Sequence, residues 1–159
     1  MIIENVFFFF SVKNLALKQV VTASSIAHNG FAKYAVDGVY GKVECKNNWV
    51  HSLPSVPNSA WLRVDFGGWK HAQFVEIHNR IPTTNNNIKV RLSNTLIYVY
   101  GKDPSDDRRL CAKILDGNHE RFYLPCLKTL YGKGIELHLP EEDVCCRILH
   151  ICEIVVLGY

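Results

Sequence analysis

The sequence predicts an all-β chain, an antiparallel β-sandwich of the jelly-roll kind with about eight main strands. Three observations carry that expectation. Apolar and polar residues alternate with period two, as in Gly134-Ile135-Glu136-Leu137-His138-Leu139. Clusters of Asp, Asn, Gly and Pro separate the alternating runs, among them Asp103-Pro104-Ser105-Asp106-Asp107, Asp116-Gly117-Asn118 and Pro140-Glu141-Glu142-Asp143. No stretch sustains the helical period over several turns.

Taken in order, Val6 to Val12 has the apolar core of a secretion signal, with Glu4 ahead of it where a positive charge is usual. Residues 1–13 are therefore read as the remnant of a leader or, alternatively, as a hydrophobic first strand. A single domain is expected over residues 14–159. Trp61 to Phe66 reads as a strand ending in a turn at Gly67-Gly68, where the backbone needs permissive angles. Gln73 to Asn79, Leu96 to Tyr100, Cys111 to Leu115, Phe122 to Leu124, Gly134 to Leu139 and Ile148 to Leu157 follow as further strands. Several are apolar on both faces, as strands inside a core are. Asn85-Asn86-Asn87 reads as a loop tip.

The chain has 159 residues, enough for one core that buries about two-thirds of the unfolded surface. Hydrophobic residues make up 48% and charged residues 21%, a soluble globular balance. The net charge of +3 is small and dispersed, with no aromatic-basic signature, which argues against nucleic acid. No apolar run approaches the ~20 residues that span a bilayer, so membrane insertion is not expected. The six cysteines suggest an oxidising compartment, hence a secreted protein. Their spacings do not give a zinc-knuckle pattern. Cys111 and Cys126 flank two short apolar segments, which suits a hairpin staple. Cys145-Cys146 is a vicinal pair whose partners the sequence does not fix.

Three side chains stand just outside apolar runs: His51, Arg80 and Arg91. Strand ends and adjacent loops are where binding groups gather on a rigid β scaffold. Two guanidinium forks and an imidazole make a donor-rich set suited to a neutral polyhydroxylated ligand or to an anion.

Several blocks together resemble the F-type lectins (fucolectins). They are Asn14-Leu15-Ala16-Leu17, Thr22-Ala23-Ser24-Ser25, Ala35-Val36-Asp37-Gly38 and Trp61-Leu62-Arg63-Val64-Asp65-Phe66-Gly67, in that order. Asn79-Arg80, Arg91-Leu92-Ser93-Asn94 and Cys152-Glu153-Ile154-Val155-Val156-Leu157-Gly158 complete the series. Discoidin-like domains share the Ala-Val-Asp-Gly block and the tryptophan strand; the histidine, the two arginines and the Cys-Glu ending separate the two groups. The resemblance implies a calcium-stabilised jelly roll that binds L-fucose on glycans. His51, Arg80 and Arg91 would donate hydrogen bonds to sugar oxygens. The sequence leaves the oligomeric state open, a homo-oligomer included.

The chain also departs from the family pattern. Arg80 is followed by Ile81-Pro82-Thr83-Thr84, without the usual aspartate or adjacent cysteines. An insertion from Asn85 to Val90 moves Arg91 along the chain and offers Lys89 as an alternative second cation. For calcium, the resemblance implies the Asp37 and Glu153 carboxylates with oxygens of Tyr34, Val39, Asn48 and Cys152. Read on its own, Asp37 before Gly38 is a turn-capping residue. The cysteine that the family pattern places just before the histidine is replaced by Trp49-Val50; Cys45, a few residues upstream, is the candidate partner for Cys152 in its stead. That bond would clamp the last strand to the calcium loop, stabilising by roughly 2–4 kcal/mol.

Two other function classes have candidate residues. Glu141-Glu142-Asp143 could be a hydrolytic carboxylate cluster, but consecutive carboxylates in a turn are usually solvated, and catalytic pairs face each other across a cleft. No nucleophile-elbow motif is present. A discoidin-like surface-binding module would need apolar loop tips, for which Leu53-Pro54-Ser55-Val56-Pro57 and Trp69 are the candidates. A non-enzymatic, glycan-binding reading is therefore expected, the alternatives being that surface-binding module or a jelly roll that has lost fucose binding with the altered motif.

Overall fold

The structure, a computed structural model, describes residues 11–40, 45, 48–53, 59–80, 90–141 and 148–159. Among these residues eight strands form: β1 (Lys13–Asn14), β2 (Val20–Ala23), β3 (Val50–His51), β4 (Ala60–Asn79), β5 (Leu96–Tyr100), β6 (Arg108–Lys113), β7 (Arg121–Leu139) and β8 (His150–Gly158). A 3-10 helix spans Ala32–Val36. All strand pairings are antiparallel, in the order β1-β8-β4-β7-β5-β6, with β2 on β4 and β3 on β8.

Two long strands build both layers of the sandwich. The first part of β4 (60–65) pairs with β2 and with the last part of β7 (134–139), which also pairs with β5. The second part of β4 (72–79) pairs with β8, and its neighbour there is the first part of β7 (121–130). The register shifts between Asp65 and Lys70 and again between Ala72 and Phe74. Gly67 and Gly68 sit at that first shift with φ of 71° and 157°. The expected turn at Gly67-Gly68 is thus a bulge within one strand, because glycine accepts the backbone angles without breaking the ladder. Likewise Phe122–Leu124 and Gly134–Leu139 belong to one strand. The strand expected over Cys111–Leu115 runs instead from Arg108 to Lys113.

Alternation places Leu62, Val64, Val75, Ile77, Ile135, Leu137 and Leu139 inward, each buried, with Ile97, Val99, Ile154 and Val156 filling the same core. The outer face of β7 carries Glu136, fully buried under partners. Arg63 Nε lies 2.6 Å from one carboxylate oxygen and Arg108 Nη1 2.7 Å from the other. Arg63 stacks on Trp61 and Arg108 on Tyr98. Burial opposes the Glu136 charge. The bonds from His138 and Arg63, with the Arg63 and Arg108 charges, outweigh it and hold the carboxyl below its usual range.

Two disulfides form among the described residues. Cys111–Cys126 closes with 4.2 Å between α-carbons, as the flanking apolar segments suggested. The expected hairpin does not form: β6 is bonded to β5, and β7 to β4 and β5. The bond therefore ties together two strands that share no backbone ladder. Cys45–Cys152 closes with 5.3 Å between α-carbons and links the chain ahead of β3 to β8. Residues 1–10, Cys145 and Cys146 lie outside the described residues, and Lys13 pairs with Gly158 as part of β1. Among the described residues no helix is long and apolar enough to cross a membrane.

Candidate functional site

β8 is the strand on which the site is assembled. On one side, β3 lies against it with Val50 opposite Ile151 and His51 opposite His150. On the other, Asn79 at the end of β4 pairs with the same Ile151. Arg80 is the next residue, so β4 delivers it beside His150. Its Nη1 lies 2.5 Å from His150 Nε2, and its guanidinium carbon stands 4.0 Å from the centre of the Trp49 ring. The indole face and the imidazole edge fix the guanidinium plane from two directions.

His51 is held just as firmly. Its backbone N–H donates to Gly30 O (3.1 Å), and its carbonyl accepts from Ala27 N (2.8 Å). A Cβ on Gly30 would stand 2.5 Å from His51 N, so only glycine allows this approach. The His51 ring meets His150 at 5.0 Å and His28 at 4.9 Å, both edge-on. His51 is 8% exposed. Its place at a strand end suggests a side chain free of packing duty; the structure packs it instead, because β3 is covered by the 27–30 loop.

Arg91 comes from a short 3-10 turn over 90–92. Buried Leu92 anchors it, and Ser93 N donates to Val90 O at 2.9 Å. The turn is tied to the end of β4 through one loop. Gly117 N donates to Ser93 Oγ, while the Asn79 amide donates to the carbonyls of Gly117 and His119. Asn79 thus sets the position of Arg80 in sequence and of Arg91 through space. Lys89, the alternative cation, and Asn85–Asn87 lie outside the described residues.

The charges register one another. Burial lowers the Arg91 pKa, with the Arg80 charge adding to it. Burial lowers that of His51; the bond to Ser52 opposes this, and the His28, Arg91 and Arg80 charges reinforce it. His150 is pushed down to about 2, first by burial and then by Arg80, His51 and Arg91. His51 and Arg80 thus meet at the His150 ring, and the Arg91 charge acts on both. His51 Nδ1 lies 2.8 Å from the Ser52 carbonyl, which only accepts, so that nitrogen carries the proton. In the neutral ring Nε2 is then an acceptor. The resemblance implied a donating histidine; the Ser52 bond reverses that role.

Trp49, His150 and His28 complete the patch, and sequence reasoning does not single them out. A signal exists for His150, a lone polar residue within Ile148-Leu149-His150-Ile151 where both faces are apolar. Nothing marks His28, which arrives by loop geometry at φ 50°.

Of the second expected constellation, Asp37 and Glu153 lie on either side of the Gly38 turn. Glu153 is fully buried, and both its oxygens lie 3.2 Å from Gly38 N. Asp37 Oδ1 accepts from Val39 N at 2.8 Å, the turn cap that its sequence context suggests, and Oδ2 accepts from Asn48 Nδ2 at 3.0 Å. Burial raises the Glu153 pKa to about 8; the Gly38 bond opposes the rise and the Asp37 charge adds to it. Tyr34 lies in the 3-10 helix that leads into Asp37, and Cys152 is bonded to Cys45. Among the described residues no three His, Cys, Asp or Glu side chains gather as a metal cluster. A buried Glu153 with the half-buried Asp37 charge acting on it nonetheless suits a hard cation whose remaining ligands are carbonyl oxygens.

The other candidates separate from this patch. Trp69 is exposed and stacks on Tyr131 at the β4 bulge, roughly 35 Å of strand path from Arg80. Leu53 is exposed beside the site, whereas 54–57 and Glu142-Asp143 lie outside the described residues.

The fold is that of solved F-type lectins and fucose-binding modules. A fucose-binding module from Streptococcus pneumoniae, SpX-3, superposes with a TM-score of 0.74 at 26% identity, covering 92% of this chain and 98% of that one. The lectin domain of lectinolysin, complexed with Lewis b antigen, gives 0.73 at 21% identity, over 91% and 95%. A fucolectin from striped bass (Morone saxatilis) serum gives 0.72 at 22% identity, over 92% of this chain and 47% of that one. No protein-family model and no curated protein matches the sequence.

Proposed function

We propose that this chain is a secreted, non-catalytic carbohydrate-binding lectin module that takes fucose-bearing glycans through His51, Arg80 and Arg91. The observation that carries the reading is the meeting of Arg80 and His51 at the His150 ring, 2.5 Å from Arg80 Nη1 and 5.0 Å from the His51 ring. A sugar hydroxyl is both donor and acceptor. It can give its proton to His51 Nε2 while neighbouring hydroxyl and ring oxygens accept from Arg80 and Arg91. Held forks read the relative placement of those oxygens, which is what distinguishes one sugar from another. Fucose is favoured because solved structures of this fold are described as fucose-binding and as bound to Lewis b.

The Asp37 and Glu153 carboxylates, with oxygens of Tyr34, Val39, Asn48 and Cys152, would hold calcium. The ion would neutralise the two carboxylates and stiffen the loop that precedes β3. The paired disulfides fit an oxidising, extracellular setting.

A glycan array run with calcium and with chelator tests the reading, using L-fucose, Lewis b, galactose and chitosan oligomers as probes. Binding to the fucosylated probes, lost in Arg80→Ala, is expected. Preference for galactose or chitosan would replace the fucose assignment, and the absence of binding to every glycan would overturn the function.

A further inference from the structure

We propose that His150, with Trp49, is a positioning device for Arg80, its imidazole accepting the hydrogen bond that sets the guanidinium plane. The inference rests on the sugar-binding reading and deepens it. Ile81-Pro82-Thr83-Thr84 brings no carboxylate behind Arg80 in the chain. The structure brings His150 instead, through the register of β8 against β3 and β4.

A guanidinium has no lone pair to offer, so in the 2.5 Å contact Nη1 donates and His150 Nε2 accepts. The proton of the neutral ring is then on Nδ1. That nitrogen is buried and finds no hydrogen-bond partner among the described residues. An unmatched buried N–H is a standing cost that Phe or Leu at this position would avoid. His150 is fully buried inside the apolar run of β8, where a residue serving packing alone would be apolar. Its polarity is useful only on the Nε2 side, towards Arg80. The Trp49 face blocks rotation of the guanidinium out of that bond.

The ligand-free protein tests the pairing directly. In ¹⁵N spectra His150 should be the Nδ1–H tautomer, and the Arg80 Nη groups should rotate more slowly than those of exposed arginines. An Nε2–H tautomer, or free rotation at Arg80, would overturn the proposal. Binding to immobilised Lewis b then tests the consequence. His150→Phe keeps the ring volume and loses the acceptor, and should weaken binding about ten- to hundredfold. His150→Gln, whose amide oxygen accepts, should stay within about threefold of the unmutated protein. In an Arg80→Lys background His150→Phe should add little, since its effect runs through Arg80. Equal losses for Phe and Gln, with unchanged melting, would refute the role. Should His150→Phe fail to fold, the Gln variant and the Arg80 spectra carry the decision. If the unmutated protein binds no fucosylated probe the sugar reading falls, while the spectra still decide whether His150 holds Arg80.

Discussion

Removing the two disulfides one at a time should separate the fold's stability from the integrity of the patch. Cys45–Cys152 spans a sequence separation of 107, and Cys111–Cys126 one of 15. In the chain-entropy model, closing these loops restricts the unfolded chain by about 4.8 and about 3.0 kcal/mol respectively. The difference, about 1.7 kcal/mol, comes from the logarithm of the loop-length ratio alone. Paired Cys→Ala variants unfolded in urea should show that order, the Cys45/Cys152 variant being the weaker. Location adds a second contrast. Cys152 lies two residues beyond His150 on β8, and Cys45 precedes the segment that carries Trp49 and His51, so losing this bond should also weaken glycan binding. The Cys111/Cys126 bond ties β6 to β7 away from the patch, and its loss should leave affinity unchanged. Equal destabilisation in both variants, or unaltered binding without Cys45–Cys152, would refute the reasoning.

Arg91→Ala should weaken glycan binding about ten- to hundredfold with the melting temperature nearly unchanged, measured by titration calorimetry and thermal melts. Lys89→Ala should do much less. The lowered His51 pKa predicts that its acceptor form survives as pH falls through 6.5, with binding lost only below that. A decline centred at 6.5 or above would contradict it. Glu136, with its pKa lowered in the fold, contributes stability that is present above pH 4.5 and lost as pH falls through the folded value. In acid melts Glu136→Gln should remove that part of the pH dependence, seen as a flatter profile below pH 4.5.

Much of the architecture is legible in the sequence because alternation survives in strands with one buried face. Leu96–Tyr100 matches β5 at both ends, and Ile135, Leu137 and Leu139 all turn inward. Strand continuity is not legible. Gly67-Gly68 signals a backbone freedom that serves a turn or a bulge equally, and only the pairing of both halves of β4 with β7 decides between them. For the site, Arg80 and His51 stand out by chemistry and position. His150 does not, since its function depends on which residues lie across from it on β3 and β4, and cross-strand register is a property of the whole sheet. The Cys111–Cys126 bond follows from the sequence for an unsound reason: proximity comes from the closing of the sandwich rather than from a hairpin.

The antiparallel pairing of β1 with β8 sets Lys13 directly against Gly158. Any chain attached ahead of β1 or beyond β8 therefore enters and leaves at neighbouring points, as the two leads of a plug do. His150 lies at the other end of β8, roughly 25 Å away along the strand. A tether at either lead points the patch outward, away from whatever the module is joined to. Splicing the fold into a surface loop of another protein would need only a short linker on each side, and the glycan-facing end would stay clear of its host.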